Sequence, residues 1–148
     1  MSRIQRAARY FVRMRLSYGS DGRTFGCSKK PLKSSADHLT EVQERLLKGV
    51  VIEHKDFENL IKVYDRPTAL FYCDPPYHTT EDYYEVDFLQ SDHIRLKDCL
   101  NGIKGRFLLS YNDDEFIRDL YKDFRITQVT RSNNLTSGKY KELLICNY

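Results

Sequence analysis

No apolar stretch in this 148-residue chain approaches the roughly 18 residues that cross a bilayer as a helix. Its opening, "MSRIQRAARY", lacks the apolar core of a secretory signal. The expectation is therefore a cytoplasmic protein with no membrane partner. The four cysteines, Cys27, Cys73, Cys99 and Cys146, form no C-x-x-C pair, and the histidines at 38, 54, 78 and 93 do not join them at zinc-like spacings. Reduced thiols and no metal are expected. Disorder is disfavoured too, because 41% hydrophobic and 30% charged residues is an ordinary globular balance. Neither an internal repeat nor a low-complexity segment is present, and the length suits one core better than two. A single domain over residues 1–148 is expected.

Acidic residues are scarce at the amino end. Residues 1–33 hold nine Lys or Arg against one acid, Asp21, whereas the remaining 115 residues carry 15 basic and 20 acidic side chains. This basic third reads as a surface for a polyanion, with a solvated helix face as the plain alternative.

Periodicity yields alternating helices and strands. "RIQRAARYFVRMRL" reads as a helix with Ile4, Ala7, Ala8 and Phe11 on one side and Arg6, Arg9 and Arg13 on another. Three glycines in "SYGSDGRTFGCSKKP" place a loop or irregular hairpin over 17–35. Leu39, Val42, Leu46 and Leu47 recur at helical spacing, "GVVIEH" reads as a short strand, and Asp56 caps a helix carrying Phe57, Leu60, Ile61 and Tyr64. A strand follows at 69–73. An aromatic loop, "HTTEDYYEVDF", then leads to a helix over Ser91–Gly102. "GRFLLSYND" reads as a buried strand, with Asn112 or Asp113 capping the next helix. The acids Asp113, Asp114 and Glu115 then complement a helix dipole better than they suggest a metal. "RITQVTR" and "KELLICNY" read as a closing antiparallel hairpin.

The stretch "ALFYCDPPY" carries the chemistry. In an α/β sheet, ligands collect at the carboxyl ends of strands, and this apolar strand ends in Asp74, Pro75, Pro76 and Tyr77. Such an ending offers a carboxylate, a backbone carbonyl outside the ladder, a stiff turn and an aromatic face. An exocyclic amine on a flat base needs these features. Its lone pair is delocalised into the ring, so two acceptors on its N–H bonds help rehybridise the nitrogen during attack. Asp74 and the Pro75 carbonyl can be those acceptors, with Tyr77 stacking on the ring. The alternative is that the prolines merely end a strand and Tyr77 packs in the core.

With those residues in view, the chain resembles the Dam-like DNA adenine-N6 methyltransferases in their compact phage and restriction-system forms. "FYCDPPY" is similar to their catalytic motif, "LLSYND" to the next core strand, "KELLICNY" to their closing strand, and "VVIEHKDFENLI" to a cofactor-binding segment. The resemblance implies a partial Rossmann-like sheet, α/β in class, with helices and a carboxyl-terminal antiparallel hairpin. It implies transfer of a methyl group from S-adenosyl-L-methionine to adenine N6 in double-stranded DNA, with the base turned out of the helix and no metal involved. Asp74, Pro75, Pro76 and Tyr77 match the catalytic residues, and Asp74 also borders the methyl donor. Asp56 and Phe57 match the pair contacting the cofactor's adenine. Residues 1–35 fall where the family approaches DNA, with Arg9, Arg13, Arg23, Lys29 and Lys30 as candidate phosphate contacts; Tyr83 and Tyr84 are candidates for the flipped-base pocket, or packed loop aromatics.

The family's phenylalanine- and glycine-rich segment, which wraps the methionine part of the cofactor, finds no counterpart here, nor does its ribose-binding acid. The expectation is a carboxyl-terminal part of such an enzyme, whose missing central strand leaves a sheet edge open and whose activity calls for a complementary amino-terminal chain. A DNA-binding remnant without catalysis is the alternative. Related tetrapeptides also serve cytosine-N4, RNA-adenine and glutamine-amide methylation; Asp at position 74 weighs against glutamine, and the closing strand toward DNA adenine.

Overall fold

A computed structural model of the chain describes residues 1–20, 22–24, 32–79, 88–132 and 138–148. The chain divides into two compact units, Met1–Glu53 and His54–Tyr148.

In the first unit, α1 spans Arg3–Leu16 as its periodicity predicts. A capping box starts it: the Ser2 hydroxyl accepts from the Gln5 amide at 3.2 Å, and the Gln5 side chain accepts from the Ser2 amide at 2.9 Å. Arg13 and Arg15 in the last turn complement the negative end of the helix dipole. No residue of α1 is buried, and Ile4 is largely exposed. A 3-10 turn follows at Tyr18–Ser20. Helix α2 spans Leu32–Arg45, so residues 32–35, expected in a loop, are helical. The reason lies in "KKPLKSS": proline restricts the residue before it and leaves those after it free to start a helix.

The second correction concerns "GVVIEH". Residues 50–54 form no strand, and Val50, Val51 and Ile52 are 53%, 74% and 81% exposed. β-branching favours extended backbone, but a strand exists only when another strand meets its hydrogen-bonding groups. Among the described residues none does.

The second unit begins with α3, Phe57–Tyr64, capped by the Asp56 carboxylate on the Glu58 amide at 3.0 Å. Strand β1 is Leu70–Cys73, α4 is Gln90–Asn101, and β2 is Arg106–Asn112. Helix α5, Glu115–Leu120, leads to β3, Arg125–Ser132, and β4, Lys139–Cys146. The cap of α5 is Asp114, not Asn112 or Asp113: β2 stays paired with β4 through Asn112 opposite Glu142, so Asp114 is the residue free to turn and accept from the Ile117 amide at 3.2 Å. Asp113 instead holds Arg118 through two contacts of 2.6 and 3.0 Å.

The four strands form one mixed sheet in the order β1-β2-β4-β3. β1 runs parallel to β2, and β4 runs antiparallel to both β2 and β3, so the expected closing hairpin is present. Phe107, Leu109 and Tyr111 of β2 pack with Leu143 and Ile145 of β4, Ile117 of α5 and its C-cap Tyr121, and Leu96 and Leu100 of α4, all almost fully buried. Asp65, at the end of α3, accepts from the Lys104 and Gly105 amides at 2.9 and 3.0 Å and so fixes where β2 starts. Among the described residues no strand pairs with the outer edge of β1, where Leu70 and Tyr72 are 63% and 61% exposed.

Candidate active site

Strand β1 ends at Cys73, and the register with β2 sets Leu109 beside it, one residue before Ser110. Ser110 is 1% exposed, and its hydroxyl donates to Asp74 Oδ1 at 2.9 Å and reaches the Cys73 carbonyl at 3.5 Å. The carboxylate is thereby aimed by the neighbouring strand. Pro75 and Pro76 have no N–H with which to extend the ladder, so the chain leaves the sheet here. Tyr77 then lies against Tyr111, with ring centres 6.3 Å apart, and its hydroxyl donates to Glu142 Oε1 at 2.5 Å. Burial, and then the Glu142 carboxylate, push ionisation of the Tyr77 phenol far above the ordinary tyrosine value. The expected acceptor and aromatic face therefore emerge together at the carboxyl end of β1.

A cavity of about 290 Å³ opens beside them. Its walls include Lys55, Phe57 and Leu60 around α3, Phe71 and Tyr72 of β1, Asp74, Pro75, and Phe88 with Leu96. The lining is mostly apolar, and the Phe57 and Phe88 rings stand 6.1 Å apart. Phe57, Asp74 and Pro75, predicted for two different tasks, thus share one hollow. Asp56 is not in its lining; its carboxylate caps α3 and takes both contacts from Arg95 Nη1 at 3.0 Å. Against desolvation, which pushes it up, hydrogen bonds from Arg95 and the Glu58 amide hold the Asp56 carboxyl below its ordinary value. Arg95 also stacks over Phe57, 4.1 Å from the ring centre, and pairs with Asp92 at 3.0 Å.

Sequence reasoning missed Ser110, Glu142, Arg95 and Phe88. Ser110 and Glu142 left a weak signal, each being a polar residue set in an apolar strand, in "LLSYND" and "KELLICNY". A larger groove of about 680 Å³ between α3 and α4 contains none of the predicted residues and is lined by mixed charges, among them Glu58, Lys62, Asp98 and Lys104.

In the first unit, Arg9 and Arg13 lie one turn apart on α1 and line a hollow with Ala8, Val12 and Thr24. Arg13 Nε donates to the Gly22 carbonyl at 2.5 Å, where Gly22 has the left-handed φ of +67°. Arg9, Arg13 and Arg23 are exposed. Lys29, Lys30, Tyr83 and Tyr84 lie outside the described residues.

Among the described residues no three His, Cys, Asp or Glu side chains gather as a metal site, and no helix is long and apolar enough to cross a membrane. His78 pairs with Asp114 at 3.0 Å rather than with Cys73.

The comparisons with known proteins bear on the same residues. The type II methyltransferase M.CviBI of Paramecium bursaria Chlorella virus NC1A is 28% identical over 93 residues, or 62% of this chain. That match spans 36% of the relative's length. A family model described as D12 class N6 adenine-specific DNA methyltransferase matches residues 8–135, which cover most of each unit and the whole Asp74–Tyr77 turn, and the chain belongs to that family.

Proposed function

We propose that this chain carries the adenine-binding and methyl-transfer site of a DNA adenine-N6 methyltransferase that uses S-adenosyl-L-methionine. The observation carrying this reading is the convergence of Phe57 with Asp74 and Pro75 on one cavity.

The cavity suits the cofactor's aromatic end. Its walls are apolar, it offers the Phe57 and Phe88 rings for a purine, and its carboxylate belongs to the turn where transfer would occur. S-adenosyl-L-methionine, when bound, supplies an electrophilic methyl group on a sulfonium. The protein's work is positional. Asp74, aimed by Ser110, accepts one N–H of the adenine amine, and the Pro75 carbonyl accepts the other, so the nitrogen lone pair is drawn out of the ring toward the methyl. Tyr77 stacks on the extruded base. Fixed acceptors and alignment, rather than a strong base, lower the barrier. Transfer would leave the nitrogen positively charged and acidic, and the Asp74 carboxylate already on its N–H, or water, would take the proton.

The strand order, with parallel β1 and β2 followed by an antiparallel hairpin, is read here as part of a Rossmann-like sheet in a catalytic domain spanning the chain. A complementary amino-terminal segment would pair with the outer edge of β1, and residues 1–35 would approach double-stranded DNA through Arg9, Arg13, Arg23, Lys29 and Lys30. A second reading, in which the chain binds DNA without catalysis, rests on the exposed Arg9, Arg13 and Arg23 of the first unit.

The deciding experiment incubates the chain with methyl-labelled S-adenosyl-L-methionine and unmethylated duplex DNA, alone and with the amino-terminal part of a related enzyme, then digests the DNA. Label in N6-methyladenine, absent with Tyr77→Ala although that variant still binds DNA, is expected. No label under either condition, with DNA binding intact, leaves the non-catalytic reading.

A further inference from the structure

Glu142 is an acid in a place built for apolar side chains. It is 4% exposed, immediately precedes the apolar run "LLI" of β4, in which Leu143 and Ile145 are buried, and sits opposite Asn112 of β2. A carboxylate at this depth is unfavourable unless donors meet its oxygens. Oε1 takes the Tyr77 hydroxyl at 2.5 Å; Oε2 takes no hydrogen bond but faces Arg131 of β3 as an ion pair, which offsets the charge. An aliphatic residue would serve the packing of the hairpin; the acid adds an oriented acceptor at the far end of the Tyr77 ring.

That position matters because the ring of tyrosine turns about two side-chain torsions. Pro76 stiffens the backbone on one side of Tyr77. A hydrogen bond to the hydroxyl, which lies on the axis of the second torsion, fixes the direction of that axis and so the first torsion, while the Tyr111 ring, 6.3 Å away, flanks the Tyr77 ring. The Ser110 hydroxyl aims Asp74 and Glu142 anchors Tyr77, so the two functional ends of the tetrapeptide draw their restraints from the neighbouring strands β2 and β4.

We infer that Glu142 is a positioning residue, which holds the Tyr77 ring through its hydroxyl in the place against which the extruded adenine stacks. This role rests on the proposed adenine-N6 transfer. It assigns the Tyr77 hydroxyl to the protein rather than to the base, and it makes Glu142 matter to the transfer step more than to DNA affinity, which phosphate contacts dominate.

The test compares Tyr77→Phe, Glu142→Ala, Glu142→Gln and the double variant Tyr77→Phe/Glu142→Ala under the conditions in which the parent methylates DNA. Loss of alignment should lower kcat roughly tenfold or more in Tyr77→Phe and in Glu142→Ala, with KM for DNA nearly unchanged. The double variant should be no worse than either single one, because both remove the same bond. Glu142→Gln, whose amide oxygen still accepts, should recover most of the rate and show that loss in the alanine variant is not misfolding. Additive losses, or parental kcat in Glu142→Ala, overturn the inference.

A second readout needs no activity. With tyrosines carrying carbon-13 at Cζ, the Tyr77 resonance is assigned by its loss in Tyr77→Phe and followed against pH. It should resist ionisation well beyond the ordinary tyrosine range near ~10 in the parent, and less so in Glu142→Ala. Ordinary titration in the parent means that the anchor is absent and overturns the inference whatever the enzyme does. An anchored tyrosine in a protein that never transfers a methyl group overturns the proposed reaction, and the role with it, while the bond itself stands.

Discussion

Gly105 is the position at which a single methyl group should be felt most. A Cβ added there would lie 2.8 Å from the Ala69 carbonyl oxygen, 2.9 Å from the Arg66 carbonyl oxygen and 3.2 Å from the Ala69 Cβ. Both oxygens are backbone atoms already in use: Ala69 O accepts from the Arg106 amide at 2.9 Å, and Arg66 O accepts from the Ala69 amide at 2.8 Å. Gly105 itself is tethered, its amide by Asp65 at 3.0 Å and its carbonyl by Asn147 at 3.0 Å. The new methyl therefore has no flexible neighbour to displace. Overpacking of this kind costs about 1–3 kcal/mol. Alanine also restricts the unfolded chain, which favours folding by about 0.4–1 kcal/mol, so a net loss of roughly 1–2 kcal/mol remains. Thermal unfolding followed by far-ultraviolet circular dichroism should show Tm lower by about 3–10 °C. Gly102→Ala is the control, since its Cβ would meet only the Cys99 carbonyl oxygen at 3.9 Å. A Gly105→Ala protein as stable as the Gly102→Ala protein would refute this account of how the start of β2 is held against β1.

The basic face is tested by salt. If Arg9 and Arg23 touch phosphates, replacing either by alanine should flatten the slope of log K against log salt for duplex DNA by about 0.9, and an unchanged slope removes that contact. Phe57→Ala should weaken S-adenosyl-L-methionine binding by roughly tenfold, measured by equilibrium dialysis with the assembled enzyme, through loss of a ring from the cavity wall; equal affinity would place the cofactor's base elsewhere. Burial, and then the neighbouring Cys99, push the Cys73 thiol up to about 11 from 9.0, so at pH 8 its alkylation by iodoacetamide should be roughly a hundredfold slower than that of an ordinary thiol. Fast labelling of Cys73, mapped by peptide mass, would show that β1 is open to solvent there.

The sequence by itself determined the local elements and the candidate chemistry. Ser2 and Gln5 start α1, Asp56 caps α3, and the apolar runs of β2 and β4 can be satisfied only in a core. These are decided by neighbours a few residues apart, as is the abrupt ending of β1 in two prolines. The same local reasoning failed at "GVVIEH" and at the cap of α5. In both places the answer depends on whether a distant strand pairs with the segment: none of the described strands pairs with residues 50–54, and β4 holds Asn112 in β2 so that Asp114 becomes the cap.

The site divides in the same way. The stretch "CDPPY" is contiguous, and its acceptors and aromatic ring are legible as written. The residues that aim them are not: Ser110 lies 36 positions from Asp74, and Glu142 lies 65 from Tyr77. Sheet order and register decide those partners. Parallel pairing of β1 with β2 brings Ser110 to Asp74, antiparallel pairing of β2 with β4 brings Glu142 to the same end, and a slip of one residue would turn either side chain to the opposite face. Composition and spacing can nominate a catalytic turn, but only the tertiary fold converts two isolated polar residues in apolar strands into its supports, because a buried polar group is stable only where the fold brings it a partner.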